Sequence, residues 1–525
     1  MRAPTYFRAW ALQWPWGIRA ALLLILVTGI VQFVVFAMTQ NYVISYFGAQ
    51  PEDVSFALQI TYCGIIAALP FQFRFVRYFE IRNMLATMLL AGILLSLTYL
   101  FVTDIYIFIL LRLISGFIIS ATAAPVLILI FSRLPPERMQ IVGFSVFFGT
   151  ILCAGVVIGM LSVWVASNME WKQVYHYLAL IQLGALIIVL LFLNPKNNMK
   201  KYPLYQLDWT GSILFLTSLI ALAYTLIYGP QHDWFDDPFL IFTTVLSVLS
   251  FALMLYRQSF LKRPYIHLDT FKSLNFFLGI LLLMFFYIIK DSLNLVYAYS
   301  LSVLQWPPEQ LIMLACFNVL GIVCSVLLVS QLSLLKLITS RVAFISGFAL
   351  MLIYHILMYF YYTSDISFTQ LIVPVFLQGA ACGTLFVPII RFVVATAPAY
   401  TGFSATVMAA FARFASSVIS ISGFFSAQRY FNIQNKQSLL KGLTELDNNY
   451  TSRLSQFVQH YQSRGFSGGQ AQAMALAAVN KSLLVQSQLR TNMDVFMVMI
   501  CVLVVLIIII LFAPLLNKSF QYLKK

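Results

Sequence analysis

Long apolar stretches separated by short polar segments run along almost the whole of this 525-residue chain. A helix needs roughly 20 apolar residues to cross about 30 Å of hydrocarbon, and the chain divides into fourteen stretches of about that length. We number these predicted spans in chain order: 20 to 41, 54 to 73, 84 to 103, 105 to 131, 140 to 166, 173 to 193, 209 to 229, 238 to 256, 274 to 303, 310 to 331, 342 to 362, 369 to 390, 401 to 426 and 494 to 515. The pattern predicts an all-α integral membrane protein.

Basic residues fall in every second loop, and this alternation predicts the orientation, because cytoplasmic loops carry an excess of Lys and Arg. One side holds Arg2, Arg8, Arg19, Arg74, Arg77, Arg82, Arg133, Arg138, Lys196, Lys200, Lys201, Arg257, Lys262, Arg263, Lys272, Lys336, Arg341, Arg391, Lys518, Lys524 and Lys525. The short loops of the other side hold Lys172 as their single basic residue, among acids such as Asp53 and Asp104. Both termini are therefore predicted to be cytoplasmic.

The composition agrees with a chain surrounded mostly by lipid. Hydrophobic residues make up 61% and charged residues 9%, with a mean hydropathy of +0.89. The net charge of +15 lies mainly in the cytoplasmic loops, so it does not indicate a nucleic-acid partner. The six cysteines fall inside predicted spans without metal-ligand spacing, and we expect no metal or other cofactor.

Two short matches indicate an internal repeat. Spans 4 and 12 each carry a glycine nine residues before a proline, at Gly116 and Pro125 and at Gly379 and Pro388. The loop after each is followed by Gly-Phe-Ser, at 143 to 145 and at 402 to 404. We therefore predict a six-helix bundle at 1 to 193, a linker with two inserted spans at 194 to 272, and a second six-helix bundle at 273 to 525.

Several motifs resemble those of one family. They are Leu207, Asp208, Trp209, Thr210 and Gly211 opening span 7, Tyr228, Gly229, Pro230 and Trp234 closing it, Arg112 with Gly116 in span 4, Pro135 to Arg138 with Gly143, Trp171 with Lys172, and Arg413 in span 13. Along essentially its whole length the chain resembles the fourteen-helix drug:proton antiporter group of the major facilitator superfamily. The resemblance implies a 6 + 2 + 6 arrangement and proton-coupled efflux of small molecules from a bacterial inner membrane by alternating access.

Three signature positions depart from that family. The loop after span 2 reads Arg77, Tyr78, Phe79, Glu80, Ile81, Arg82 where the family has Asp-Arg and then Gly-Arg-Arg. The antiporter motif of span 5 is reduced to Gly155 and Gly159, and the acid of helix one is absent, with Gln32 as the nearest polar group. These departures weaken the case for an ordinary exporter of cationic drugs.

Few ionisable groups lie inside the spans, and an intramembrane charge is a functional-site hypothesis by default. They are Arg112, Lys290, Asp291, Arg413 and His355. Because adjacent helical residues do not face each other, Lys290 and Asp291 are not expected to pair with one another. Asp291 is the predicted proton-coupling carboxyl and Arg112 a second proton-coupling candidate, whereas His355 is expected to be a packed polar residue.

A polar stripe at helical spacing in span 9 is predicted to line the substrate path. Its members are Tyr287, Lys290, Asp291, Asn294 and Tyr297, of which all but Asp291 are predicted substrate-binding residues, together with Arg413 and Gln32. Three positive groups would then face one negative group. Such a site favours an anionic or zwitterionic amphiphile, whose apolar part the aromatic rings would contact.

Residues 428 to 493 form the only long polar segment, predicted to be an external helical hairpin because apolar residues recur there at helical spacing. It is either a lid on the transporter or, by family resemblance, a docking surface for a periplasmic adaptor protein. A second class stays open, a multispanning membrane enzyme such as a lipid-linked glycosyltransferase with Glu52 and Asp53 in its first external loop. Against an enzyme, the chain shows no nucleophile triad, metal cluster or phosphate loop.

Overall fold

The computed structural model describes residues 6–196, 201, 203–261, 264–401, 404–443 and 447–512. Within these residues fourteen helices are long and apolar enough to cross a membrane, which confirms the predicted all-α class and the number of spans. Spans 1 to 14 are Pro15–Ala37, Pro51–Gln72, Ile81–Tyr99, Ile105–Phe131, Arg138–Ala166, Gln173–Phe192, Trp209–Tyr228, Pro238–Phe260, Leu274–Ser302, Glu309–Leu334, Ser340–Tyr361, Phe368–Thr396, Ser404–Leu440 and Gly468–Phe512. The side of the membrane on which the termini lie stays a prediction.

Short helices fill some of the connections. They are the α-helices Ala9–Leu12, Gln40–Phe47 and Asn448–Ser463 and the 3₁₀ turns Leu204–Gln206, Trp234–Asp236, Leu268–Lys272 and Ala399–Thr401. The described residues contain no β-strand, only an isolated bridge between Phe7 and Leu193. This bridge fixes the start of the chain against the end of span 6.

Several acids of the predicted external loops cap the helices that follow them. Asp104 accepts hydrogen bonds from the amides of Tyr106 and Ile107, and Asp237 accepts one from Phe239. An N-cap side chain satisfies amides that have no partner within the helix, and a carboxylate also interacts favourably with the helix dipole. Asp104 and Asp237 therefore stabilise the first turns of the helices that follow them.

The two glycines of the sequence repeat make equivalent helix contacts. A Cβ atom on Gly116 of span 4 would lie 2.2 Å from the carbonyl oxygen of Thr61 in span 2. A Cβ atom on Gly379 of span 12 would lie 2.1 Å from the carbonyl oxygen of Asn318 in span 10. Spans 2 and 4 thus pack backbone against backbone, as do spans 10 and 12, and the duplication stays a prediction.

Spans 7 and 8 pack against each other through small hydroxyl residues. Ser218 donates to the carbonyl of Ser247, and Ser247 donates to the carbonyl of Ser218, both at 3.0 Å. Span 7 also contacts span 2, where the rings of Phe56 and Tyr224 lie 5.5 Å apart, and span 13 through other aromatic residues. The inserted pair is therefore anchored to one span from each predicted bundle, and the boundaries at 193 and 272 stay predictions.

The polar segment near 428 to 493, predicted to be a helical hairpin, is mostly helical where it is described. Span 13 continues without interruption to Leu440, the helix Asn448–Ser463 follows, and span 14 begins already at Gly468. Asn435 donates to Asp494 at 2.7 Å, and Gln488 of span 14 donates to Ser302 of span 9 at 2.9 Å. The described part of the segment thus consists of the polar extensions of spans 13 and 14 with the helix Asn448–Ser463 between them.

Candidate functional site

Span 9 is interrupted near its middle, at its two charged residues. Helix 9a is Leu274–Lys290 and helix 9b is Leu293–Ser302. Between them the amides bond to carbonyls three rather than four residues earlier, from Ser292 to Ile289 (3.2 Å), Asn294 to Asp291 (3.0 Å) and Leu295 to Ser292 (3.1 Å). Such 3₁₀ bonding inside a long helix often marks a functional position.

Lys290 and Asp291 form an ion pair within this interruption. The Nζ atom of Lys290 lies 2.5 Å from Oδ1 of Asp291. The expectation that these neighbours would not pair is wrong, because the tightened turn and the flexible lysine stem bring the charges together. The two side chains remain 22% and 16% exposed, so both charged groups stay partly accessible.

Arg413 of span 13 lies close to this pair through an aromatic ring. Its guanidinium carbon is 5.0 Å from the ring centre of Tyr287 and 5.5 Å from that of Phe386. Lys290 Nζ is 4.9 Å from the ring of Tyr287. Cations are attracted to ring faces, so Tyr287 joins the two positive groups of spans 9 and 13.

Tyr62 of span 2 adds a residue that the sequence reasoning missed. It lies within electrostatic range of Arg413, Lys290 and Asp291, and its ring centre is 4.5 Å from that of Phe33 in span 1. Nearby, Gln59 of span 2 donates to the hydroxyl of Ser417 in span 13. The sequence marks Tyr62 only as a polar, uncharged residue in the middle of a span, and this is a weaker sign of function than an intramembrane charge.

The part of the predicted stripe that follows the interruption has neighbours on spans 10 and 12. Tyr297 lies near Cys316 of span 10 and Cys382 of span 12, whereas Asn294 is exposed. Cys382 is also within electrostatic range of Lys290 and Asp291, so Tyr297 shares a neighbour with the ion pair. The substrate-binding assignment of Asn294 and Tyr297 stays a prediction.

Arg112 and Gln32 lie in a second polar cluster, inside the first predicted bundle. Arg112 is fully buried, donates to the backbone oxygen of Gln32 at 3.2 Å and lies 4.0 Å over the ring of Phe36. Gln32 donates to the carbonyl of Gly92 and, more weakly, to the hydroxyl of Ser96. No contact among the described residues joins this cluster to Lys290 or Asp291, so the roles predicted for Arg112 and Gln32 stay predictions.

This separation changes the charge balance of the site. The sequence suggested three positive groups facing one carboxylate, whereas the structure groups Lys290 and Arg413 with Asp291 and places Arg112 elsewhere. The cluster formed by Tyr62, Tyr287, Lys290, Asp291 and Arg413, which we call the central charge cluster, therefore carries a formal charge of +1 when all three groups are ionised. The net charge of the cluster is still positive, but it is smaller than the +2 expected from three positive groups and one carboxylate.

The motif that opens span 7 is bonded to span 8 and, through it, to the segment that leads to span 9. Asp208 accepts hydrogen bonds from the amide of Gly211 (3.0 Å), from Arg257 (2.9 Å) and from Gln258 (2.7 Å). Gln258 in turn accepts the amide hydrogen of Tyr265, just before span 9. Burial acts to raise the pKa of Asp208, but these donors outweigh it and hold the pKa below its usual range.

Asp53, one of the two acids predicted to lie in the first external loop, makes structural contacts at the start of span 2. Asp53 accepts from the amide of Gln50 at 3.1 Å and from the hydroxyl of Tyr228 at 2.5 Å, which ties span 2 to the end of span 7. At the same end Arg429 of span 13 donates to the carbonyl of Pro230. Within the described ranges no group of three or more His, Cys, Asp or Glu residues is placed to hold a metal ion. These positions favour helix capping over catalysis.

The sequence profile of the Major Facilitator Superfamily matches residues 20–423. The chain is 23% identical over 297 residues to the probable multidrug resistance protein EmrY of Escherichia coli K12, an alignment that covers 55% of each chain. It is 21% identical over 153 residues to the multidrug export protein EmrB of the same strain, covering 29% of each. The chain thus spans about half the length of the first of these relatives, and less of the second.

Solved structures show the same fold at low identity. A crystal structure of a POT family transporter in complex with 5-aminolevulinic acid matches 90% of this chain and 97% of its own, with 18% identity and a TM-score of 0.54. The crystal structure of the human organic anion transporter MFSD10 matches 78% and 93%, with 13% identity and a TM-score of 0.52. Both are transporters rather than enzymes, and the enzyme alternative finds no support among them.

Proposed function

Since this chain belongs to the major facilitator superfamily, we propose that it is a proton-coupled exporter of a small amphiphile and that the central charge cluster is its coupling site. The observation that carries the proposal is the Lys290–Asp291 pair, 2.5 Å apart and partly accessible, in the interruption of span 9. Placing charged side chains within a membrane span costs free energy, so their presence there indicates a function. Multidrug relatives favour export as the direction.

The pair provides a carboxylate for which a proton and a substrate can compete. Protonation of Asp291 removes its charge and frees Lys290, whereas a cationic group of a substrate would bind only the ionised carboxylate. Exchange of substrate for protons requires this competition. A purely anionic substrate on Lys290 would instead bind together with a proton on Asp291, and both would then move in the same direction.

A zwitterionic amphiphile is therefore the substrate class that best fits export. Its cationic group would take the place of the proton on Asp291, and its acidic group would bind Lys290 and Arg413, whose fork suits a carboxylate. Tyr287, Tyr62 and Phe386 supply aromatic surface beside the charges. We keep Arg112 as a secondary candidate in proton coupling and Gln32, Asn294 and Tyr297 as secondary candidates in substrate binding.

We further propose a bacterial inner membrane as the location and a periplasmic adaptor as a partner. The support is the family membership and the continuation of spans 13 and 14 into a polar segment that ends far from their apolar parts. Site-specific photocrosslinking along the helix Asn448–Ser463 in cells would test the partner. Crosslinks to a single-span envelope protein are expected, and none along the whole helix would contradict the adaptor proposal.

The decisive test uses purified protein in liposomes that contain a pH-sensitive dye. Amphiphiles with one shared apolar part and a carboxylate, an ammonium or both would be offered in turn. We expect the zwitterion to produce a proton flux opposite to its own movement, and Asp291→Asn to abolish that flux. Asp494→Asn is the matched control, because Asp494 pairs with Asn435 outside the central charge cluster. Equal proton flux in Asp291→Asn and wild type would reject the coupling mechanism.

A further inference from the structure

The interruption of span 9 occurs without a helix-breaking proline or glycine. Sharp breaks in helices usually occur at proline or glycine, or where a side chain inserts into the hydrogen-bond ladder. The segment 286 to 297 contains neither proline nor glycine. Contacts with other spans are therefore a candidate cause, beside the turn preference of Asp291, Ser292 and Asn294.

Two carbonyl groups lose their helical partners at the interruption. In a continuous helix the carbonyl of Lys290 would accept from the amide of Asn294, and that of Ile288 from the amide of Ser292. Those amides bond instead to Asp291 and Ile289. A carbonyl that is left without a partner in a low-dielectric interior costs roughly 1 to 3 kcal/mol, so each needs a donor from elsewhere.

Side chains of spans 12 and 13 provide these donors. Gln378 of span 12, which is 2% exposed, donates from Nε2 to the carbonyl of Lys290 at 3.0 Å. The amide oxygen of Gln378 accepts from Asn318 of span 10 at 2.6 Å, which fixes the orientation of the Gln378 amide. Ser420 of span 13 reaches the carbonyl of Ile288 at 3.4 Å.

Span 11 holds the other side of the interruption. His355 is fully buried, and its Nε2 atom lies 3.1 Å from the hydroxyl of Ser292. Its Nδ1 atom lies 2.8 Å from the carbonyl of Met351, which can only accept, so Nδ1 carries the hydrogen. Nε2 of the neutral ring then accepts from Ser292, and the residue after Asp291 is fixed to span 11.

We propose that Gln378 and His355 are positioning residues that impose the interruption on span 9 and thereby hold Lys290 and Asp291 together as a pair. Without them the helix ladder would close, and the two charged side chains would point about 100° apart. The expected effect on transport rests on the proposed function. The expected effect on the shape of span 9 and on the Lys290–Asp291 pair does not. It makes the second predicted bundle, rather than the local sequence, the origin of the coupling site.

The structural test measures amide hydrogen exchange in detergent for the peptide that covers 288 to 297. Gln378→Met and Ser292→Ala are each expected to change its exchange rate by at least about threefold, because bonds that define the interruption are lost. The controls are Thr384→Val and Ser300→Ala, whose hydroxyls bond only to carbonyls of their own helices. Unchanged exchange in both test variants overturns the proposal. Should Gln378→Met fail to fold, Ser292→Ala decides the outcome alone.

The transport test measures KM and kcat across pH in liposomes. Gln378→Met is expected to raise KM by about fivefold and to shift the pH midpoint of transport, whereas the control Thr384→Val should change neither. The charged and titratable groups that face the pair are Tyr287, Arg413 of span 13, Tyr62 of span 2 and Cys382 of span 12. Changed exchange with pH-independent transport in the wild type would refute the proposed function and leave the positioning role intact.

Discussion

The guanidinium carbon of Arg413 lies 5.0 Å from the ring centre of Tyr287, so a cation on span 13 is held over an aromatic face on span 9. Lys290 approaches the same ring to 4.9 Å. Two positive groups thus share one ring while a single carboxylate, Asp291, balances one of them. The second positive charge is available to a negatively charged group of a ligand.

Replacing Arg413 with Lys should weaken substrate binding while preserving the charge. The planar guanidinium stacks on the ring and can bind a carboxylate through two bonds, whereas an ammonium cannot. We expect the Kd of a zwitterionic substrate to rise about tenfold, the equivalent of about 1.4 kcal/mol. Isothermal titration in detergent would measure it. The control is Arg429→Lys, because Arg429 lies near Pro230 and Asp233 at the outer end. An unchanged Kd in Arg413→Lys would remove Arg413 from the site.

Tyr62→Phe should reduce proton coupling with little effect on folding. The substitution keeps the ring that packs 4.5 Å from Phe33 and removes only the hydroxyl within range of the central charge cluster. We expect a shift in the pH midpoint of transport at nearly unchanged Tm. Tyr297→Phe, on the other side of span 9, serves as the comparison. Identical pH profiles for Tyr62→Phe and wild type would mean that span 2 does not contribute to coupling.

Asp208→Asn should destabilise the protein in a pH-dependent way. Burial acts to raise the pKa of Asp208, but bonds from Gly211, Gln258 and Arg257 lower it below the usual value near 4. A group with a lowered pKa stabilises the folded state above its unfolded pKa and loses that effect as the pH falls through the folded pKa. The loss in Tm is therefore expected in full at pH 6 to 7 and should shrink below about pH 4. Thermal unfolding in detergent measures it, and a loss that grows on acidification would contradict this explanation.

Arg112→Met should separate structural from functional roles in the first bundle. Arg112 is fully buried and stacks on Phe36 at 4.0 Å, and two of its guanidinium nitrogens, Nε and Nη1, have no hydrogen-bond partner among the described residues. Removal of a buried charge that is only partly satisfied can be neutral or stabilising. We expect Tm to hold or rise while proton flux falls if Arg112 takes part in coupling. A raised Tm with full transport would make the residue unnecessary for function.

The helical architecture was predictable because each span carries its own signal. Fourteen apolar stretches and alternating loop charges need no knowledge of distant contacts, and all fourteen spans are found. Span ends were less predictable. Span 13 ends at Leu440 and span 14 begins at Gly468, because polar helical residues extend both spans beyond their apolar stretches.

The central charge cluster was only partly predictable, since its geometry depends on other spans. Lys290, Asp291, Tyr287 and Arg413 were found from charge and helical spacing, and the structure brings them together. The pairing of Lys290 with Asp291 could not be derived from helical periodicity, because the interruption is set by long-range bonds such as that from Gln378. Tyr62 lacked a charge that would have singled it out.

The uninterrupted helix Ser404–Leu440 joins the apolar part of span 13 to the polar segment near 428 to 493. Arg413 and Asn435 lie 22 positions apart on it, about 33 Å at 1.5 Å per residue. A stiff rod of this length acts as a lever, so a tilt of about 10° near Arg413 would displace the far end by roughly 6 Å. A movement of span 13 near Arg413 is thereby carried to the far end of the helix, beyond the apolar part of the span, without any separate relay.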